Sequence, residues 1–226
     1  MKISNKLVRN TILYSIIFQI VIGIIAVPAL FFKLDGDDTI LQTTLLLETV
    51  VQIIEATFYI FIAYFSTAII QITPLRYIDW FITTPTMLIS TVMFMRYKQH
   101  KENKKKITAR QFFNDDKDII IKIVASNFLM LLFGYLGETN VINNILAILV
   151  GSVFFLYTFY TIFVNYAMHT VTGYRLFSFV FIIWYLYAVA ALMGTNLKNV
   201  MYNALDIVSK NFYGLFLAYI IWSLRK

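Results

Sequence analysis

Apolar residues fall in seven long blocks along the chain, separated by short polar joints and one longer polar segment. The blocks run from about Leu7 to Phe32, Thr39 to Ala68, Leu75 to Tyr97, Ile119 to Leu136, Val141 to Val164, Tyr174 to Met193 and Val200 to Leu224. A helix of about 20 apolar residues crosses a hydrocarbon core of about 30 Å. The pattern therefore predicts an all-α fold, a bundle of seven transmembrane helices. The joints K-L-D-G-D-D at Lys33–Asp38, Gln71–Leu75 with Pro74, G-E-T-N at Gly137–Asn140 and G-T-N at Gly194–Asn196 are too short for a second domain. Residues 1–226 read as one seven-helix membrane domain, with Lys98–Asp118 a basic loop between the third and fourth helices.

Three blocks contain groups that lipid does not tolerate without a reason. The third holds R-Y-I-D-W-F-I-T-T-P-T-M-L-I-S from Arg76 to Ser90, the seventh holds L-D-I-V-S-K from Leu205 to Lys210, and the second carries Glu48, Gln52 and Glu55. A lysine at mid-membrane costs about 2.5–3.5 kcal/mol even on a lenient scale, so Lys210 must be paired, neutralised or modified. Asp206 lies one helical turn before it and shares its face. Spacing alone leaves two readings equal: a plain buried ion pair, or a functional lysine of the kind that forms Schiff bases with aldehydes. Glu48 and Glu55, seven apart, lie on one face of the second span, with Gln52 beside that line.

Composition agrees with a membrane protein and removes other classes. Of 226 residues, 60% are hydrophobic, against nearer half in a soluble domain. The absence of cysteine excludes disulfides and thiol chemistry. The two histidines, His100 and His169, fall in predicted loops, which leaves no basis for a metal site. The net charge of +7 sits mostly beside the spans, where it sets topology rather than binding nucleic acid. Placing the lysine-rich loop in the cytoplasm puts the N-terminus outside and the C-terminus inside. Only Lys2, Lys6, Arg9 and Lys198 then lie outside, with Arg76 and Lys210 buried in spans. Met1–Asn10 lacks a small-residue cleavage site, so no removable signal peptide is expected. The run K-E-N-K-K-K in the basic loop reads as topogenic rather than as a headgroup or partner site.

The segments R-Y-I-D-W-F-I-T-T-P and L-D-I-V-S-K resemble the signature segments of the microbial (type 1) rhodopsins, and the resemblance covers the whole seven-span layout. It implies all-trans retinal bound as a protonated Schiff base on Lys210. Asp79 then corresponds to the primary counterion and proton acceptor, Asp206 to a second counterion, Arg76 to the arginine beside them, and Thr83 to a support for the acceptor. Trp80, Thr84, Pro85, Met87, Trp184 and Tyr187 match positions that shape the retinal slot, with Asn127 facing Thr84 and Met130 and Gly134 near the ring. Any one of these aromatics, taken singly, is as well explained by core packing in a chain that is 17% aromatic.

Departures from the family pattern bear on subtype. The position eleven after Asp79, a carboxylate in well-known proton pumps, is Ser90, which relays a proton but cannot store one. Ala188 and Ala191 stand where many relatives have proline and tryptophan, and no acidic release pair accompanies Lys198. Glu48 and Glu55 are similar to glutamates of the cation-conducting rhodopsins, and the combination resembles the rhodopsins of large DNA viruses. The expected function is a light-driven outward proton pump, with Glu48 replacing the missing donor at Ser90. The alternative is a light-gated cation channel in which Glu48, Glu55 and Asn211 line the ion pathway; a sensory photoreceptor is a third reading. No enzyme activity is expected. The expected partners are retinal, the lipid bilayer and transported protons or cations, with a homo-oligomer left open.

Overall fold

The computed structural model describes residues 3–66 and 68–225; Lys2, counted in the charge bias above, lies outside them. Seven helical segments among the described residues are long and apolar enough to cross a membrane. They are α1 (Asn5–Ala26), α2 (Ile40–Phe65), α3 (Ile72–Glu102), α5 (Lys117–Glu138), α6 (Asn144–Asn165), α7 (Val171–Ala191), and a seventh span built from α8 (Thr195–Asp206) and α9 (Phe212–Leu224). A short α4 (Ala109–Asp115) lies between α3 and α5.

The helix boundaries follow local chemistry. Ser4, Asn143 and Thr170 cap α1, α6 and α7 with side-chain oxygens that accept otherwise unpaired backbone N–H groups. Pro28 opens the tight 3-10 turn that ends α1, and Pro74 lies in the first turn of α3, where its missing N–H is not needed. Apolar patterning alone misplaces one region. The expected loop at Lys98–Asp118 is largely helical: α3 continues to Glu102, carrying His100 in its last turn, and α4 begins at a capping box formed by Thr108 and Gln111. Lysine, glutamate and glutamine are good helix formers, so a helix that leaves the apolar layer need not stop.

Helices adjacent in sequence are adjacent in space, and contacts of α1 with α8 and α9 close the ring. Outward positions such as Leu13, Ile24, Ile53 and Leu149 are exposed and apolar, as a lipid-facing surface requires. The two most buried spans are α3 and the seventh, which therefore carry the interior chemistry. Where they meet, Ile207–Asn211 forms a π-helical turn, with Phe212 N–H donating to the Ile207 carbonyl. The wider turn lets two consecutive side chains, Lys210 and Asn211, both point inward, and both are buried. The end of the bundle holding the start of α2, the end of α3, α4 and the end of α9 is called the basic face below.

Candidate functional site

Lys210 is the centre of the interior. Its Nζ lies 2.9 Å from Asp79 Oδ2, 3.4 Å from Glu55 Oε1 and 3.6 Å from Asp206 Oδ1, all within the protein. The i,i+4 relation to Asp206 is thus realised, but the shorter contact is to Asp79 across the bundle. Glu55 is a third carboxylate at the lysine, where the sequence placed it only along a pathway.

The carboxylates differ in their support. Asp206 accepts hydrogen bonds from Tyr59 Oη (2.7 Å), Tyr187 Oη (2.7 Å) and Arg76 Nη1 (3.2 Å). Arg76 is fully buried and is held further by Tyr59, Asn199 and Asn203, with its guanidinium over the rings of Tyr59 and Tyr202. Asp79 accepts from Lys210 alone, and its Oδ1 has no partner among the described protein atoms. Thr83 does not support that carboxylate: its hydroxyl donates to the backbone carbonyl of Asp79 at 3.0 Å, one turn back on α3. Arg76 likewise pairs with Asp206 and not with Asp79.

A cavity of about 350 Å³ opens beside Lys210, in the size range of small-ligand sites. Trp80, Thr84, Met87, Met130, Gly134, Trp184 and Tyr187 line it together with Lys210. Pro85 does not. It lies within α3, half-buried, and is not among the residues that line the cavity. Asn127 is also not a wall residue, but its Nδ2 donates to Thr84 Oγ1 at 2.8 Å and fixes that side chain. Tyr77, Leu131, Phe155, Phe181 and Tyr202 are further wall residues, and Ala188 and Ala191 leave it open where larger residues would fill it. Gly134 gives way to Tyr77, whose Oη lies 2.7 Å from where a Cβ would stand. Aromatic walls ending on one amine suit retinal, an apolar polyene aldehyde, and the residues present fit it.

Between Lys210 and the basic face runs a row of buried polar groups. Ser90 donates to Glu48 Oε1. Gln52 lies against Gly214, whose missing side chain makes room for its amide. Gln19, Gln52, Glu55 and Asn211 are all buried and present side-chain atoms with no hydrogen-bond partner among the described protein atoms, although Glu55 is ion-paired with Lys210. Toward the other face, Asn203 receives Arg76 and donates to Thr11 Oγ1 at 2.7 Å, while Asn199 donates to Thr73 Oγ1 at 3.2 Å. Glu138, the last residue of α5, pairs with Lys198 at 2.8 Å, which supplies the carboxylate partner that the sequence reading did not assign to Lys198. No group of three or more metal-binding side chains suited to an ion occurs among the described residues.

A seven-span membrane bundle whose buried lysine ends an aromatic cavity and faces a set of carboxylates is the architecture of a retinal protein. The model of the bacteriorhodopsin-like protein family matches residues 10–224, and the chain belongs to that family of microbial rhodopsins, integral multi-pass membrane proteins. Among solved structures it is similar to viral rhodopsin OLPVRII, with 27% identity, a TM-score of 0.84, and coverage of 97% of this chain and 100% of that one. A light-driven proton pump from Leptosphaeria maculans (13% identity, TM-score 0.71, 99% and 98% covered) shares the fold. So does halorhodopsin, a light-driven chloride pump (11%, 0.72, 97% and 97%). A search of curated proteins finds no match.

Proposed function

We propose that this chain is a retinal photoreceptor that conducts cations through its interior when illuminated. The observation that carries this reading is the row of buried amides and carboxylates, Gln19, Glu48, Gln52, Glu55, Asn199, Asn203 and Asn211, spanning both sides of Lys210. Amide side chains neither take up nor release protons at neutral pH, so they cannot serve as the proton donor or acceptor of a pump; their oxygens do replace the hydration shell of a passing cation. Gln19, Glu48, Gln52, Glu55 and Asn211 each bury a side-chain atom with no hydrogen-bond partner among the described protein atoms, which is costly unless they serve a hydrated path. Carboxylates at Glu48, Glu55 and Asp206 favour cations over anions.

Retinal, when bound at Lys210, would supply light absorption and a change of shape that displaces the nitrogen of Lys210. Asp79 is the carboxylate placed to hold that nitrogen's proton, because it has one donor where Asp206 has three. Moving the proton from Lys210 Nζ to Asp79 Oδ2 would remove a cation from the centre of the row. A cation crossing the bundle then meets carboxylates there instead of a fixed positive charge. Asp79→Asn is expected to shift the visible band to the red and stop this transfer; an unchanged spectrum would place the counterion elsewhere.

The second reading is an outward proton pump, and a specific contact favours it. Ser90 and Glu48 are hydrogen-bonded on the basic-face side of Lys210, opposite Arg76, so Glu48 is positioned to return a proton through the Ser90 hydroxyl. Photocurrents under voltage clamp separate the two. Conduction is expected to give a current that reverses sign near the cation equilibrium potential and shifts with external cation concentration. A current that stays outward at all negative voltages would replace the channel reading with the pump.

A further inference from the structure

The polar row must meet water at the basic face, and a cluster of three side chains stands there. Asp38, in the connection before α2, accepts at Oδ1 from Tyr97 Oη (2.6 Å) and from Lys101 Nζ (2.7 Å). Lys101 Nζ also donates to Tyr97 Oη at 2.8 Å and sits 5.3 Å from the centre of its ring. Tyr97 and Asp38 are buried, while the lysine side chain is 46% exposed. Ser90, Tyr97 and Lys101 follow one face of α3, which sets Tyr97 about 10 Å beyond Ser90 toward the basic face. Asp38 reaches this level from the opposite wall, because Thr44 and Glu48 lie about one and two turns into α2 on a shared face. Leu41, Leu45 and Phe94, all fully buried, fill the same level.

We propose that Asp38, Tyr97 and Lys101 form the gate at the basic-face mouth of the polar row, a loop carboxylate fastened across the path to α3. The inference rests on reading that row as a route for ions or protons. A surface staple for the α1–α2 connection would need only the exposed lysine and the carboxylate. Here a buried tyrosine hydroxyl lies beneath the pair and bonds to both members, so the closure extends into the interior. The lock is also durable. Burial alone would raise Asp38, but hydrogen bonds from Lys101 and Tyr97 and the charges of Lys101 and Lys98 outweigh it and hold the carboxyl below the ordinary carboxylate range. The group is therefore ionised and the lock intact at neutral and mildly acidic pH, and it is lost only as pH falls through that lowered value.

The chain has no cysteine, so one introduced thiol reports access without background. Thr44→Cys places it one turn from Glu48 toward the gate, at a fully buried position. The test measures reaction in the dark with a cationic, membrane-impermeant methanethiosulfonate, on retinal-loaded protein in lipid nanodiscs, where retained colour certifies folding. Slow modification of Thr44→Cys is expected, with a gain of at least ten-fold on adding Asp38→Asn or Lys101→Met. The exchanged pair Asp38→Lys with Lys101→Asp is expected to return the rate toward the slow value. Equal rates with and without Asp38→Asn would overturn the gate, as would an equal gain from Lys117→Met, a surface charge outside the cluster. Gln52→Cys repeats the test if Thr44→Cys does not fold. Dark labelling involves no transport, so a photocurrent that fails to reverse would sink the conduction reading and leave the gate standing.

Discussion

Lys210→Ala is expected to leave a protein that never becomes coloured when retinal is added, whatever the pH. The cavity beside Lys210 is walled by aromatic and aliphatic side chains, and its polar lining offers no second primary amine. Arg76, the other cation near the centre, is fully buried and held by Asp206, Tyr59, Asn199 and Asn203. A guanidinium that stays protonated is also no nucleophile toward an aldehyde. Absorption spectroscopy of the purified variant with added retinal checks this, and a visible band comparable to the native one would overturn the attachment assignment. The variant has a second expected signature. Removing Lys210 leaves Asp79, Asp206 and Glu55 around an interior from which their shared cation has gone. Breaking a buried pair from one side costs about 3–5 kcal/mol, so thermal stability should fall as well. Lys210→Ala combined with Asp79→Asn should recover part of that loss without recovering colour.

Much of this centre was legible in the sequence, for a physical reason. Polar groups inside a lipid-spanning helix are so costly that their presence alone marks an interior face, and Asp79, Asp206 and Lys210 were found on that ground. The family resemblance, and not the energetics, marked Ser90 as lacking a carboxylate and Glu48 as its substitute; the hydrogen bond between the two is a feature of the structure that the sequence does not state. Other features depend on how far each helix is rotated about its axis, which local sequence does not state. Glu55 faces Lys210 as a third carboxylate, Thr83 turns its hydroxyl back onto its own helix, and Pro85 is absent from the cavity lining. The roles of Tyr59, Asn199 and Asn203 are not marked in the sequence: Tyr59 is one of 15 tyrosines, Asn199 lies just before the seventh apolar block, and a neutral amide costs less to bury than a charge. Asp38 was hidden differently: it lies in a joint that reads as an ordinary acidic turn, and only the reach of Lys101 from the extended α3 gives it a role.

Arg76→Ala should be the most destabilising single change outside the lysine. The guanidinium is fully buried and satisfies four partners, Asp206, Tyr59, Asn199 and Asn203, between two tyrosine rings. Truncation leaves the Asp206 carboxylate with two tyrosine donors and a more distant lysine, and it removes the donor to Asn199 Oδ1, while Asn203 Oδ1 keeps Tyr59. A one-sided break of this kind costs about 3–5 kcal/mol, which for a chain of this size lowers the melting temperature by about 6–20 °C. Arg76→Lys restores the charge but not the planar fork that reaches several oxygens together, so it should recover only a part. The decisive comparison is Arg76→Ala with Asp206→Asn. If the loss comes from an orphaned carboxylate, the double variant melts higher than Arg76→Ala alone, because the neutral amide no longer needs a cation. If it comes from lost packing against Tyr59 and Tyr202, the second substitution lowers the melting temperature further. The first outcome means that Arg76 acts electrostatically on the centre through Asp206. The far end of the polar row is then closed by a charge pair, which can respond when the balance of charge at Lys210 and Asp79 changes.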